Sequence, residues 1–221
     1  MKKTNAVIFG AIGTEISYTP KESDLIIAAD KGFKTLGKRN IVPDLILGDF
    51  DSLGSIPTGE NVMVLPIEKD DTDMAFAVKY ALDKGIRQIF ILGGIGKRLD
   101  HSFANIQLLS YIKRCGGRGF LLSDNEMLTV ISDESIKLTG KAGQRVSVFS
   151  LSEKSMGVCE RGFKYTLDNA ELSNGFPLGV SNELAGERGE ISVSSGELLI
   201  YADGVCDFIS DNRNCKDNIK I

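Results

Sequence analysis

The chain has 221 residues, 42% of them hydrophobic, with a formal net charge of −4 and one histidine beside four cysteines. It is long enough to bury a substantial core and exceeds the roughly 100–150 residues of a common single domain. The acidic balance excludes non-specific nucleic-acid binding, which needs a basic face. No apolar run reaches the roughly 18 residues of a membrane-spanning helix, and Met1-Lys2-Lys3 leads into only a short apolar run, so neither a membrane partner nor a signal peptide is expected and the location is read as cytoplasmic. Cys115, Cys159, Cys206 and Cys215 lie far apart, with only His101 to join them, so no zinc motif exists.

In chain order, apolar strand-like runs at 6–9, 25–29, 45–47, 62–65 and 89–92 alternate with helical stretches. Such alternation predicts a parallel sheet covered on both faces. The run 45–47, opened by Pro43-Asp44, closes at Gly48 and leads into Asp49-Phe50-Asp51-Ser52. Two aspartates at i and i+2 on extended backbone project to one side, at the carboxyl end of a core strand, where ligands bind in open α/β sheets. Asp30 ends another strand at the same margin; it either joins the site or caps the helix that follows. Asp70-Asp71-Thr72-Asp73 forms a second acidic cluster, with Thr72 or Asp71 as N-cap of a helix that places Met74, Val78 and Leu82 on one face and stops at Gly85. Residues 49–73 hold seven acidic side chains and one basic one, Lys69. Carboxylates this dense repel one another, and a hard divalent cation with oxygen ligands offsets that repulsion; the reading is a magnesium site.

Gly93-Gly94-Ile95-Gly96-Lys97-Arg98-Leu99-Asp100-His101 follows the fifth strand-like run and opens a helix over 100–114, with Phe103, Ile106, Leu109 and Tyr111 predicted mostly inward. Glycines, a helix N-terminus and two cations suit a phosphate. The segment is neither a Walker A loop, since Ile91 and Arg98 stand at required positions, nor a dinucleotide fingerprint, since Leu99 fills the last glycine slot. Beyond about residue 120 the helical period gives way to short alternating runs, Val146 and Val148 or Ile191 and Val193, broken by glycines. That texture predicts an antiparallel β-sandwich or jelly roll. The fold expected is therefore an α/β N-terminal domain with a mainly parallel sheet, residues 1–122, followed by an all-β sandwich-like domain, residues 123–221.

Magnesium carboxylates beside a cationic glycine loop assemble the parts for phosphoryl-type transfer from a nucleoside triphosphate. The residues alone do not name the acceptor. Two other readings stand beside it: a haloacid-dehalogenase-type phosphohydrolase with Asp49 as nucleophile, and a non-catalytic binding module.

The ordered set Ala29-Asp30-Lys31-Gly32, Pro43-Asp44, Gly48-Asp49-Phe50-Asp51-Ser52, Asp71-Thr72-Asp73, Gly93-Gly94 and Arg98-Leu99-Asp100-His101 resembles the thiamine pyrophosphokinase family. Gly162-Phe163-Lys164-Tyr165-Thr166-Leu167 and Val180-Ser181-Asn182 extend the resemblance into the second half. Two positions depart from the pattern: Lys31 stands where the family often has a second glycine, and Tyr165 where some members carry tryptophan. The resemblance implies transfer of diphosphate from ATP to the hydroxyethyl oxygen of thiamine, with AMP leaving. It implies Asp49, Asp51 and Asp73 as magnesium ligands, and Asp73, Arg98 and Asp100 as the catalytic group, Asp100 either orienting Arg98 or accepting the hydroxyl proton. Asp30, Lys69, Asp71, Thr72, Arg98 and His101 would line the ATP site, and Tyr165, Ser181 and Asn182 the thiamine site. A homodimer with active sites at the subunit interface completes what it implies.

Overall fold

The computed structural model describes residues 2–50, 57, 59, 61–96, 98–204, 207–210, 213–214 and 219–220, the side chains of 17, 18 and all residues past 204 excepted. Two compact units divide it, Met1–Ser123 and Asp124–Ile221.

In the first unit, β1 (Asn5–Phe9), β2 (Ser17–Tyr18), β3 (Asp24–Ala29), α1 (Gly32–Lys38), β4 (Leu45–Gly48), β5 (Val62–Val64), α2 (Asp73–Asp83), β6 (Gln88–Leu92), α3 (Leu99–Arg114) and β7 (Arg118–Ser123) follow in order. The sheet runs β7-β6-β1-β3-β4-β5, every neighbouring pair parallel. β3 is buried at every residue, which is why its sequence, Asp-Leu-Ile-Ile-Ala-Ala, runs apolar instead of alternating: a parallel strand has both faces covered. The chain builds outward from β1 to β5 on one side, then returns to β6 and β7 on the other. The order therefore reverses between β1 and β6, a topological switch point with a crevice at the strands' carboxyl ends.

Met74, Ala77, Val78, Ala81 and Leu82 bury one face of α2, at the i, i+3, i+4, i+7 spacing of an amphipathic helix. Gly85, at φ 79°, ends it: Ile86 N–H donates to Ala81 O at 3.1 Å, and the left-handed residue that such a closure needs is cheapest as glycine. The inward face of α3 differs from the expectation. Phe103 is 62% exposed and Tyr111 38% exposed, while Ser102, Asn105, Leu109, Ser110 and Ile112 are buried. The reason is polar: Asn105 Nδ2 donates to Gly94 O at 2.7 Å, and Ser102 Oγ accepts from Gly96 N–H at 3.1 Å, so the first two turns of α3 hold the glycine loop and the aromatics face outward. β7 is a sixth parallel strand that the sequence reading left unmarked. Near the amino ends of the strands, Asp44 Oδ2 accepts from Ile26 N–H at 2.8 Å, and buried Asp24 accepts from Lys21 N–H and Asn5 Nδ2. These carboxylates stitch the frame.

The second unit carries β8 (Glu126–Ser132), β9 (Ser135–Thr139), β10 (Arg145–Ser150), β11 (Lys154–Arg161), β12 (Leu167–Ser173), β13 (Gly179–Glu183), β14 (Arg188–Ser192), β15 (Glu197–Asp203), β16 (Asp207–Ser210), β17 (Arg213–Asn214) and β18 (Ile219–Lys220). β13-β10-β15-β8 form one antiparallel array and β12-β11-β14-β9-β16-β17 the other. Val146, Val148, Ile191 and Val193 are all buried as expected; in β10, however, Ser147 between the two valines is buried as well, its Oγ accepting from Ser181 N–H. Among the described residues, no helix is long and apolar enough to cross a membrane.

The start of α1 sits directly on β1: a Cβ at Gly32 would lie 1.9 Å from Phe9 O. Backbone cannot yield as a flexible side chain does. Gly32→Ala is therefore expected to cost about 3 kcal/mol, seen as a loss of roughly 6–12 °C in Tm by calorimetry.

Candidate functional site

The site grows from the carboxyl ends of β3 and β4 and the N-terminus of α2. After β4 the chain turns at Phe50, whose ring is buried and whose backbone is left-handed at φ 57°, an uncommon state for a bulky residue. Asp30, at φ 49°, does likewise at the end of β3. It does not cap α1, whose N-cap is Lys31 without a side-chain bond. A Cβ at Gly48 would lie 3.3 Å from Asp30 Cα and 3.4 Å from Asp73 Oδ2, so the absent side chain lets the three segments close up.

Between the two acidic clusters stands Lys69. Its Nζ donates to Asp49 Oδ2 at 3.0 Å and lies 3.0 Å from Asp73 Oδ1; the side chains are 11%, 19% and 15% exposed in the order Lys69, Asp49, Asp73. Burial opposes the ammonium charge, yet the two carboxylates hold Lys69 above its ordinary value. Burial also pushes the Asp73 carboxyl up; Lys69 pulls it back, and the charges of Asp49 and Asp30 push it up again. Asp73 Oδ1 is buried and, among the described residues, accepts no hydrogen bond, with Lys69 Nζ 3.0 Å away. An all-oxygen set that includes an under-satisfied buried carboxylate oxygen fits a hard divalent cation. Among the described residues, no group of three His, Cys, Asp or Glu is arranged for a metal. Asp51 and Lys97 lie outside the described residues.

The other expected residues fall into two sets. Thr72 caps α2, its Oγ1 accepting from Ala75 N–H at 3.1 Å, and Asp71 pairs with Lys79 at 2.5 Å. In the loop after β6, Arg98 and Asp100 pair side by side, Nε to Oδ1 at 3.2 Å and Nη2 to Oδ2 at 2.5 Å, both exposed, as is His101. The Arg98 guanidinium, helped by the backbone N–H and charge of His101, holds the Asp100 carboxyl down at about 2. Gly93 takes φ 68°, and a Cβ there would lie 2.1 Å from Ile12 O. Gly10 mirrors it from β1, where a Cβ would lie 2.7 Å from Gly93 O. Ser102 and Asn105, which fix this loop, were missed in the sequence; their signal was polar residues at helical spacing on a face that also carries Leu109 and Ile112.

In the second unit, Tyr165 is 64% exposed. Ser181 is exposed at φ 61°, its N–H donating to Ser147 Oγ at 3.0 Å. Asn182 is buried and bonded to the main chain of Tyr165.

Two family models match: "Thiamin pyrophosphokinase, catalytic domain" over residues 17–117, and "Thiamin pyrophosphokinase, vitamin B1 binding domain" over residues 133–198. The chain belongs to the thiamin pyrophosphokinase family. The thiamine pyrophosphokinase of Bacillus subtilis (strain 168) is 32% identical over 186 residues, covering 81% of this chain and 87% of that one. The crystal structure of the thiamine pyrophosphokinase from Bacillus subtilis superposes with TM-score 0.78 at 27% identity, over 92% of this chain and 100% of that one. That of the thiamin pyrophosphokinase from Geobacillus thermodenitrificans gives 0.77 at 30% identity, over 91% and 98%. Asp30 through His101 all lie within the first match, and Tyr165 through Asn182 within the second.

The Thr72 cap sets the start of the helix that carries Asp73. Thr72→Ala is expected to cost about 1 kcal/mol, or roughly 2–4 °C in Tm, whereas Thr72→Ser, which keeps the hydroxyl, leaves thermal unfolding unchanged.

Proposed function

We propose that this chain transfers the diphosphate of ATP to the hydroxyethyl oxygen of thiamine, giving thiamine diphosphate and AMP. The observation that carries the reading is the Asp49–Lys69–Asp73 cluster, at the strand ends where an open α/β sheet binds ligands, inside a segment that matches the catalytic model of the family. Asp49 and Asp73, with Asp51 two positions after Asp49 in the sequence, would hold magnesium on the triphosphate. Bound there, the ion supplies charge neutralisation and orientation of the phosphate oxygens.

The chain's own residues do the rest. Neighbouring strands lie about 4.8 Å apart, so the β6 loop stands two strand positions, about 10 Å, from the end of β3, a gap that a phosphate chain bridges. Arg98 offers a guanidinium to the phosphates, beside a loop whose glycines pack closely on Ile12 and Leu121. As the hydroxyl oxygen bonds to the β-phosphorus, the bond from that phosphorus to the oxygen leaving with AMP breaks, and the hydroxyl proton passes to solvent water. A carboxyl held at about 2 is a weak base at neutral pH. That supports Asp100 as the residue that aims Arg98 and not as the proton acceptor. Lys69 neutralises the two carboxylates before loading and is free to turn to a phosphate oxygen afterwards. Asp30, Asp71, Thr72 and His101 frame the same crevice.

Thiamine is read at Tyr165 and Ser181, within the vitamin B1 match. A tyrosine face attracts a cationic ring, less strongly than tryptophan. Exposed Phe176, Leu178 and Val180 support a homodimer through the second unit, with thiamine held between subunits, and the cytoplasm is the proposed location. Nothing in the comparisons favours a phosphohydrolase or a non-catalytic binder.

Incubation with ATP, magnesium and thiamine is expected to yield thiamine diphosphate and AMP in equal amounts; binding of both ligands with no product under any divalent ion rejects the enzyme. Asp49→Asn or Asp73→Asn is expected to lower kcat by roughly 10²–10³-fold with the circular dichroism spectrum unchanged, and near-normal turnover excludes metal ligation. Lys69→Met leaves two carboxylates facing each other, at a cost of about 1–3 kcal/mol. Its Tm in EDTA should fall below that of the parent and recover on adding magnesium, and a Tm indifferent to the ion contradicts the placement.

A further inference from the structure

Among the described residues, the second unit fully buries one carboxyl, and no salt bridge reaches it. Glu160, on β11, is 1% exposed. Its Oε2 accepts from Asn182 Nδ2 at 2.6 Å, while Oε1 has no hydrogen-bond partner among the described residues. Burial pushes its carboxyl above the ordinary range, and the Asn182 bond offsets this only in part. A half-satisfied buried carboxyl is disfavoured, and such a group calls for an explanation.

The explanation lies on the other side of Asn182. Its Nδ2 also donates to Tyr165 O at 2.6 Å, and its Oδ1 accepts from Tyr165 N–H at 3.0 Å and Glu183 N–H at 2.9 Å. An asparagine amide has two donor protons and two acceptor lone pairs, and all four are used. Nothing remains on Asn182 for a ligand. Its amide instead takes both main-chain groups of Tyr165, as a neighbouring strand would. The segment is held on either side as well: Lys164 N–H donates to Glu183 O and Ala185 N–H to Gly162 O, both at 2.9 Å. Glu160 belongs to one sheet of the unit and Asn182 to the other, so the clamp ties the two across the core. The Tyr165 ring thus stands 64% exposed on a fixed backbone, with Lys164 Nζ 5.7 Å from its centroid. A backbone already ordered spares the entropy that binding otherwise costs.

We propose that Glu160 and Asn182 are positioning residues for thiamine: the buried carboxyl fixes the orientation of the Asn182 amide, and the amide pins Tyr165 so that its ring meets the ligand pre-ordered. Neither residue touches the ligand, in place of the direct contact expected of Asn182. The proposal rests on the reading of Tyr165 as a thiamine contact, and the test separates the two.

Glu160→Met, Glu160→Gln and Tyr165→Ala are compared with the parent by thiamine calorimetry and steady-state kinetics. Met fills the volume of Glu without an acceptor. It is expected to raise the thiamine Kd and KM about tenfold, as lost pre-organisation does, while kcat and the KM for ATP stay within about twofold. Gln keeps an oxygen for Asn182 and is expected to remain within about twofold of the parent in every constant. A purely structural role would lower Tm or reduce all constants alike. If Tyr165→Ala weakens thiamine binding and Glu160→Met does not, the positioning role is overturned; if Tyr165→Ala binds thiamine normally, the Tyr165 contact falls, and the positioning role with it. Should Glu160→Met fail to fold, Glu160→Gln still decides, because a tenfold loss of thiamine affinity in a variant that keeps the acceptor is incompatible with the clamp.

Discussion

Mutual repulsion among carboxylates at one edge of a parallel sheet is the constraint around which the first unit is arranged. Asp30, Asp49 and Asp73 come from three separate segments, and the charges of the first two raise the cost of keeping Asp73 charged. Lys69, 3.0 Å from two of them and 11% exposed, makes the cluster tolerable in the absence of any other cation. A buried ion pair of this kind adds little net stability. Its effect is to pull the Asp73 carboxyl back against the burial that pushes it up, and to bring the ends of β4 and α2 to one place.

Holding that edge together takes close backbone approach and local strain. Gly48 lets β4 lie against Asp30 and Asp73, Gly10 and Gly93 pack against each other at the switch point, and Phe50 anchors a left-handed turn by burying its ring. Ser102 and Asn105 then tether the glycine loop from below, at the expense of an apolar face for α3. The left-handed Asp30 and Phe50 and the buried Ser102 and Asn105 are the local costs of bringing these segments together. At the amino ends of the strands, Asp24 and Asp44 show the contrasting use of a carboxylate: Asp24 accepts from Lys21 N–H and Asn5 Nδ2, Asp44 from Ile26 N–H and Lys3 Nζ, and both serve the frame.

The second unit applies the same economy to an aromatic. An exposed ring on a mobile loop binds weakly because ordering it is costly. Here the loop's main chain is bonded to a buried amide, and that amide to a buried carboxyl, so rigidity is supplied from inside the sandwich to a side chain on its surface. Among the described residues, Glu160–Asn182 and Ser150–Ser155 are buried polar contacts between the two sheets, and the first leaves one carboxyl oxygen unsatisfied.

Much of this was legible in the chain itself. Apolar runs ending in glycine and aspartate marked β3, β4 and β6, Thr72 marked the cap of α2, and the alternation around Val146 and Ile191 marked the sandwich, because strand burial, capping and turn chemistry are local and leave local signatures. The density of the acidic clusters showed by itself that their repulsion had to be offset by positive charge, part of which Lys69 supplies. What remained hidden was long-range: that Lys69 sits between Asp49 and Asp73, that α3 turns Ser102 and Asn105 inward and Phe103 outward, and that Glu160 meets an amide 22 residues further on. Spacing along a chain fixes which face a residue shares with its neighbours, but not what arrives opposite that face. That is decided only when the sheets assemble, since the partner of a buried polar group is chosen by three-dimensional packing and not by its sequence neighbours.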